Sequence, residues 1–348
     1  MNIDSKLKDL AKIRKSDEVI VYITSDKQPL ELFSTQIASD IIPLIDKYLY
    51  RIGKQRKISL FLYSTGGLLD TPWPLVSLIR EYCKTFEVII PSKALSAATL
   101  ICLGADKIVM TPLSALSPVD PQGNFMVGNE RKQVQIGDVT GFIDFAKSKV
   151  GISEQGALAE IMKTLSVEIP PSVLGSVNRT HSLIRLLSDG LIEMHRKRLA
   201  KSQKKEIIEN LTEKLFSHQH LIGRHEAKYN IGFKSIIDYA TVREEKLIRD
   251  CFEYYKNEIQ LEQSFNPAEI LQSETNKTVT LKRAIIQSSV GEDAFLSDYI
   301  IHRIQEPNAP KPFEIRIENQ RWEEIKNYDV PTPSTRKGVK RRVVSKTK

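Results

Sequence analysis

The stretch 91–122, PSKALSAATLICLGADKIVMTPLSALSPVDPQ, constrains the fold more than any other part of this sequence. Residues 97–103 carry no charge, and Gly104 follows them as a glycine follows the end of a helix. The apolar run 108–110 comes next and stops before Pro112. The stretch therefore predicts a tight turn, a buried helix, a buried strand and a second turn.

Ser96 lies at the predicted junction between turn and helix. A serine there is often an N-cap, because its hydroxyl accepts a hydrogen bond from a free amide of the first turn. It is alternatively a nucleophile, because free N–H groups at a helix start stabilise an oxyanion. In that case the N–H of Ala97 is one oxyanion donor.

A second turn, Ser64-Thr65-Gly66-Gly67, follows a predicted strand over residues 58–63. Paired glycines let the backbone approach a substrate closely, and the amide of Gly67 is a second candidate oxyanion donor. The alternative is an ordinary strand-to-helix turn, in which glycine pairs are common.

Predicted strands at 19–23, 58–63, 88–90 and 108–110 alternate with amphipathic helices. Such alternation predicts an α/β fold of parallel strands joined by right-handed crossovers. Catalytic groups are expected on the turns after the strands, where Ser64–Gly67 and Ser96 fall.

The segments STGG, ALSAATLICLGADKIVM and SPVDPQ together resemble the serine dehydrogenase proteinase family, which has the Clp-protease/crotonase fold and is related to signal peptide peptidase A. The resemblance extends over residues 17–235. Thr65 replaces a proline of the family pattern, Ala97-Ala98 replace a small or glycine pair, and Ser117 replaces a glycine.

The resemblance implies ββα spiral units, with a mostly parallel sheet and flanking helices. It also implies a serine peptidase that acts on polypeptides without a cofactor and assembles as a homo-oligomer. By the same resemblance, Ser96 is the nucleophile, the amides of Gly67 and Ala97 form the oxyanion hole, and Thr65 and Gly66 bind substrate.

The general base stays open among three residues. A serine needs a base to remove its proton, and relatives in this fold use a histidine or a lysine. Asp120 stands in the region of the Clp-type histidine, although a turn carboxylate that bonds nearby amides is the alternative there. His181 follows Thr180, which replaces the family's lysine, and Lys147 is a further candidate.

Two other functions remain possible interpretations: a catalytically silent peptide- or partner-binding module, and a crotonase-like enzyme acting on acyl thioesters. The pair His218-Gln-His220 raises the question of zinc, but no third ligand accompanies it, so no metal site is predicted.

We divide the chain into a helix over 1–16, a protease domain over 17–240, an α+β module over 241–330 and a basic tail over 331–348. The module contains predicted strands at 277–287 and 313–317. The tail holds seven Lys and Arg residues; removing them from the net charge of +8 leaves +1. Such a tail is typical of a solvated, disordered end, and an acidic or nucleic-acid partner is the alternative.

No run of 18–20 apolar residues and no secretory signal is visible, so no membrane span is expected. The three cysteines, Cys83, Cys102 and Cys251, are widely spaced, as is usual for free thiols. These features predict a cytoplasmic protein.

Overall fold

The computed structural model describes residues 2–119, 122–127, 130–214, 220–304 and 312–327. The strands are β1 (Glu18–Thr24), β2 (Gln55–Tyr63), β3 (Cys83–Ile90), β4 (Lys93–Ala94), β5 (Lys107–Met110), β6 (Ala115–Leu116), β7 (Gln122–Val127), β8 (Glu130–Gln135), β9 (Ile222–Gly223), β10 (Ile237–Tyr239), β11 (Asn276–Ser288), β12 (Gly291–Arg303) and β13 (Phe313–Asn327). The helices are α1 (Ile3–Arg14), α2 (Leu30–Phe33), α3 (Ile41–Ile52), α4 (Pro72–Tyr82), α5 (Ala97–Leu103), α6 (Ile136–Asp144), α7 (Gln155–Glu168), α8 (Pro171–Glu193), α9 (Lys201–Glu209), α10 (Arg224–Tyr229), α11 (Val242–Glu258) and α12 (Pro267–Leu271), with π-helical segments at Phe145–Lys149 and Asn210–Lys214.

A mixed sheet of eight strands organises the chain, in the order β10-β5-β3-β2-β1-β11-β12-β13. The first five strands of this order are parallel to one another. The last three join antiparallel beyond β1. The predicted α/β class, with a mostly parallel sheet and flanking helices, is confirmed.

The central strands are buried on both faces, which is why they consist largely of β-branched and aromatic residues. Side chains such as Ile20 and Leu60 face the core formed with α3, α4, α5 and α8. Their neighbours Val21 and Phe61 face a second core with α1 and α11. Helix α5 is therefore enclosed, and every one of its residues is buried.

The carboxyl-terminal strands extend the main sheet. β11 is the strand predicted over 277–287, and β13 extends well beyond the predicted 313–317. β12 was not predicted, because its acidic residues obscure a strand pattern. One of them, Asp293, is buried and accepts hydrogen bonds from Lys47 Nζ at 2.7 Å and from the Tyr48 hydroxyl. The division of the chain at residue 240 stays a prediction.

Within the described ranges, no helix is both long enough and apolar enough to cross a bilayer.

A buried charge cluster fastens α1 to the sheet. Glu87 on β3 is fully buried. Its carboxylate accepts hydrogen bonds from Arg14 Nη2 at 2.6 Å, Lys57 Nζ at 2.8 Å and Ser59 Oγ at 2.8 Å. Arg14 also donates to Glu244 on α11 at 2.8 Å. This one guanidinium thus links α1, β3 and α11.

Replacing Arg14 should destabilise the fold strongly. Arg14→Ala leaves the Glu87 carboxylate buried without its bidentate partner, a loss that costs about 3 kcal/mol or more. Urea unfolding followed by circular dichroism measures the change. Arg56→Ala is the matched control, because the Arg56 side chain is 83% exposed and its pair with Asp17 is open to solvent. Equal losses in the two variants would contradict the role given to the buried cluster.

Candidate active site

Ser96 has a strained backbone between β4 and α5. Its φ is +52° and its ψ is −116°, a combination that a residue with a Cβ rarely adopts. Ser96 occupies the N-cap position, yet its hydroxyl makes no capping hydrogen bond. Capping therefore does not account for the serine. The side chain is half-buried, and among the described residues nothing is hydrogen-bonded to its Oγ.

Two hydroxyl side chains hold this backbone in place. The N–H of Ser96 donates to Ser117 Oγ at 2.8 Å. Thr99 Oγ1 lies 2.9 Å from the carbonyl oxygen of Ala94, to which it donates, and accepts from the N–H of Ser117 at 3.2 Å. Ser117, the residue that departs from the family's glycine, thus supports the strained position directly. These roles of Ser117 and Thr99 were not predicted, since short hydroxyl side chains are common in turns.

The glycine turn lies directly against Ser96. A Cβ added to Gly66 would meet Ser96 Cβ at 2.8 Å and the Leu95 carbonyl oxygen at 2.9 Å, and Gly66 has a φ of +111°. Its N–H donates to Ser64 Oγ at 3.0 Å, and its carbonyl accepts from the N–H of Ile37 at 2.8 Å. Gly66 therefore allows close approach, while both of its backbone polar groups are already bonded within the protein. Its neighbour Thr65 is half-buried.

The N–H groups of Gly67 and Ala97 are both unpaired among the described residues, and Ala97 has no exposed surface. In a planar trans peptide, the N–H of Gly67 points opposite to the carbonyl of Gly66, and so away from Ile37. Ala97 is the first residue of α5, where an N–H has no partner within the helix. Neither amide donates to another described residue.

Of the two candidate bases that the structure describes, neither Lys147 nor His181 is hydrogen-bonded to Ser96. Asp120 lies outside the described residues. Lys147 is exposed on the π-helical segment Phe145–Lys149. His181 on α8 is 17% exposed, and its Nε2 lies 3.9 Å from Glu213 Oε1.

His181 has an environment that keeps its ring neutral. Burial lowers the pKa of His181 below its ordinary value of 6.5, and the charge of Arg185 lowers it further, against a hydrogen bond with the Thr212 backbone. The segment that carries Thr212 is joined to the Ser117 turn, since the N–H of Val119 donates to the carbonyl of Leu211 at 3.0 Å.

No metal centre is found among the described residues, where no three His, Cys, Asp or Glu side chains converge. His218 of the HxH pair lies outside them. His220 is hydrogen-bonded through Nε2 to Glu226 Oε1 at 2.8 Å.

Residues 17–136 match the ClpP-like SDH-type serine proteinase family. This confirms the predicted resemblance over the segment that carries the strands β1, β2, β3 and β5, the glycine turn and Ser96. The ClpP-like family is one of serine proteinases, which supports a peptidase.

Two uncharacterized proteins of Methanocaldococcus jannaschii are similar to part of the chain. One is 38% identical over 69 residues, which is 20% of this chain and 24% of the relative. The other is 37% identical over 65 residues, which is 19% of this chain and 22% of the relative. The similarity thus spans about a quarter of each relative's length.

Two solved structures show more distant similarity. One is the 1510-N membrane-bound stomatin-specific protease, with 21% identity, a TM-score of 0.25 and coverage of 32% of this chain and 57% of that one. The other is a protein named as an enoyl-CoA hydratase from Streptomyces coelicolor A3(2), with 13% identity, a TM-score of 0.32 and coverage of 73% and 80%.

The substitution Gly67→Ala tests how closely the glycine turn packs against Ile37. A Cβ on Gly67 would lie 2.1 Å from the carbonyl oxygen of Ile37. Because that oxygen belongs to the backbone, Gly67→Ala should lower the free energy of unfolding by about 3 kcal/mol or more. Gly175→Ala is the control: Gly175 is a helical glycine with open space around it, so alanine should stabilise by about 0.5–1 kcal/mol. Chemical denaturation measures both, and a neutral Gly67→Ala would refute the close packing.

Proposed function

We propose that this protein is a serine peptidase that cleaves polypeptides through an acyl-enzyme on Ser96. The observation that carries the proposal is the Ser96 hydroxyl itself. It is held on a strained backbone against Gly66, without a hydrogen bond to any described residue. Strain of this kind costs on the order of 1–3 kcal/mol and recurs at functional sites.

The proposed reaction begins when Ser96 Oγ attacks the substrate's carbonyl carbon and its proton passes to a base. Negative charge develops on the substrate's carbonyl oxygen. This oxyanion accepts hydrogen bonds from the N–H groups of Gly67 and Ala97. The carbon–nitrogen bond then breaks, and the base returns the proton to the leaving amine. A water molecule then attacks the ester carbonyl in the same way. The bond to Ser96 Oγ breaks, which releases the acid product and the free serine. Thr65, beside Gly66, is the proposed contact for the substrate backbone.

His181 is the proposed base. Its lowered pKa leaves the imidazole neutral at pH 7, which is the form that accepts a proton. The hydrogen bond between the Val119 N–H and the Leu211 carbonyl connects the segment beside His181 to the Ser96 turn. Lys147 is exposed and has no hydrogen bond to Ser96. Asp120 lies outside the described residues and is kept as a variant in the test.

A fluorophosphonate distinguishes an activated serine from an ordinary one. Intact-mass spectrometry should show one adduct on the wild-type protein and none on Ser96→Ala, with unchanged circular dichroism. An adduct that persists in Ser96→Ala would place the reactive group elsewhere. No adduct on the folded wild type would favour the silent binding module, which the lack of a base contact to Ser96 among the described residues also suggests.

The pH dependence of labelling identifies the base. The rate should rise with pH through the pKa of His181, below 6.5, and be level at neutral pH, because the base must be unprotonated. His181→Gln should slow labelling by about 100-fold or more. His225→Gln replaces an exposed histidine and should leave the rate unchanged. A rate still rising above pH 8, abolished by Lys147→Gln, would assign a lysine; loss of labelling in Asp120→Asn alone would assign the aspartate.

A further inference from the structure

A cleft of about 690 Å³ opens at the edge of the sheet opposite to Ser96. Lys107, which lines it, is the first residue of β5, whereas Ser96 and the glycine turn follow the carboxyl ends of β3 and β2. The loop between α8 and α9, including His195 and residues 196–198, forms one wall. We call it the rear cleft.

The rear cleft is strongly cationic. Arg196, Lys197 and Arg198 are consecutive and exposed, and in the described part of the chain their side chains make no hydrogen bond. Arg198 lies near Glu193, whose pKa its charge helps to lower. Lys107 adds a fourth cation, although it donates to the Ser235 carbonyl at 2.8 Å and pairs with Asp238 Oδ1 at 3.3 Å. Consecutive positive charges at one concave surface repel each other, and an anion in the cleft would relieve that repulsion.

The single carboxylate in the cleft does not neutralise these cations. Asp106 accepts hydrogen bonds from Arg80 Nη1 at 2.6 Å, from the N–H of Phe86 at 2.9 Å and from the N–H of Arg196 at 2.6 Å. Burial alone would raise the pKa of Asp106, but the bonds from Arg80 and these amides hold it below its ordinary value. The negative charge of Asp106 is therefore paired with Arg80 and does not balance the exposed cations at 196–198.

The rear cleft is also hydrogen-bonded to α5, the helix that follows Ser96. His195 Nε2 donates to the Leu103 carbonyl at 2.6 Å, and Arg80 Nη2 donates to the Gly104 carbonyl at 2.6 Å. Both carbonyls lie at the carboxyl end of α5, whose other end begins next to Ser96. A ligand that orders residues 195–198 therefore acts on groups bonded directly to this helix.

We propose that the rear cleft binds the phosphate groups of a small di- or triphosphate-bearing anion through Arg196, Lys197, Arg198 and Lys107. Guanidinium groups match phosphate oxygens bidentately, and lysines add charge. The cleft's volume falls in the range of small-molecule sites. The chemistry favours at least two phosphate charges, since the three consecutive cations at 196–198 line the space with Lys107.

Isothermal titration calorimetry with pyrophosphate at fixed ionic strength tests the proposal on the full chain. The wild-type protein should bind one equivalent. Arg196→Ala/Arg198→Ala should weaken binding by about 10-fold or more, because it removes two charged hydrogen-bond donors. Both side chains are exposed, so the variant should fold normally, which circular dichroism checks.

Two controls remove the same charge elsewhere. Arg243→Ala/Lys246→Ala acts on exposed cations of α11, and Arg336→Ala/Arg341→Ala acts on the basic tail. Each should leave pyrophosphate affinity within about 2-fold. Ser96→Ala should also bind as the wild type does, so a failure of the proposed peptidase would not affect this result.

Three outcomes would overturn the site: no heat of binding with pyrophosphate, an equal loss in the tail variant, or tighter binding of a short single-stranded oligonucleotide that pyrophosphate does not displace. The last outcome would assign the cations to a nucleic-acid backbone. An inorganic sulfate titration that matches pyrophosphate would likewise contradict the need for two phosphate charges.

Discussion

The hydrogen bond from the Ser96 amide to Ser117 Oγ is the interaction on which the candidate site depends. A positive φ at a residue with a side chain is unfavourable by on the order of 1–3 kcal/mol. The bonds made by Ser117 and Thr99 each contribute about 1 kcal/mol and are made only in this arrangement. Together they offset the strain, so the serine is presented with its hydroxyl unengaged.

The sheet supplies the second constraint. Neighbouring parallel strands end at the same edge of a sheet. The turns after β2 and β3 therefore meet at that edge, although they are separated in sequence. Ser64 joins the two turns, since its amide donates to the Lys93 carbonyl and its carbonyl accepts from Leu95. Thr24 Oγ1 donates to Ser64 Oγ and adds the end of β1 to the same assembly. Three strand ends are thus fixed relative to Ser96 by backbone and hydroxyl groups alone.

Much of this arrangement could be predicted from the sequence, and the reasons are local. The uncharged run of α5 and the β-branched strands have patterns that predict buried elements. The glycine pair predicts a close approach of the backbone to its neighbours. The three antiparallel strands were harder. β12 carries Glu292 and Asp293 in its buried part, and only the lysines and tyrosine of distant segments make such residues compatible with a core. The supporting roles of Ser117 and Thr99 depend on distances, which no spacing encodes. The base depends on burial and on the course of the loops, for the same reason.

The position of β1 has a consequence for how the chain is made. β1 pairs with β2 on one side, about forty residues along the chain, and with β11 on the other, more than two hundred and fifty residues along. During synthesis the β2 side is paired early, while the other edge of β1 stays open until residue 288 has left the ribosome. An unpaired, apolar edge strand is a template for pairing with other chains. Growing chains of this protein therefore pass through a long interval in which a central strand behaves as an edge.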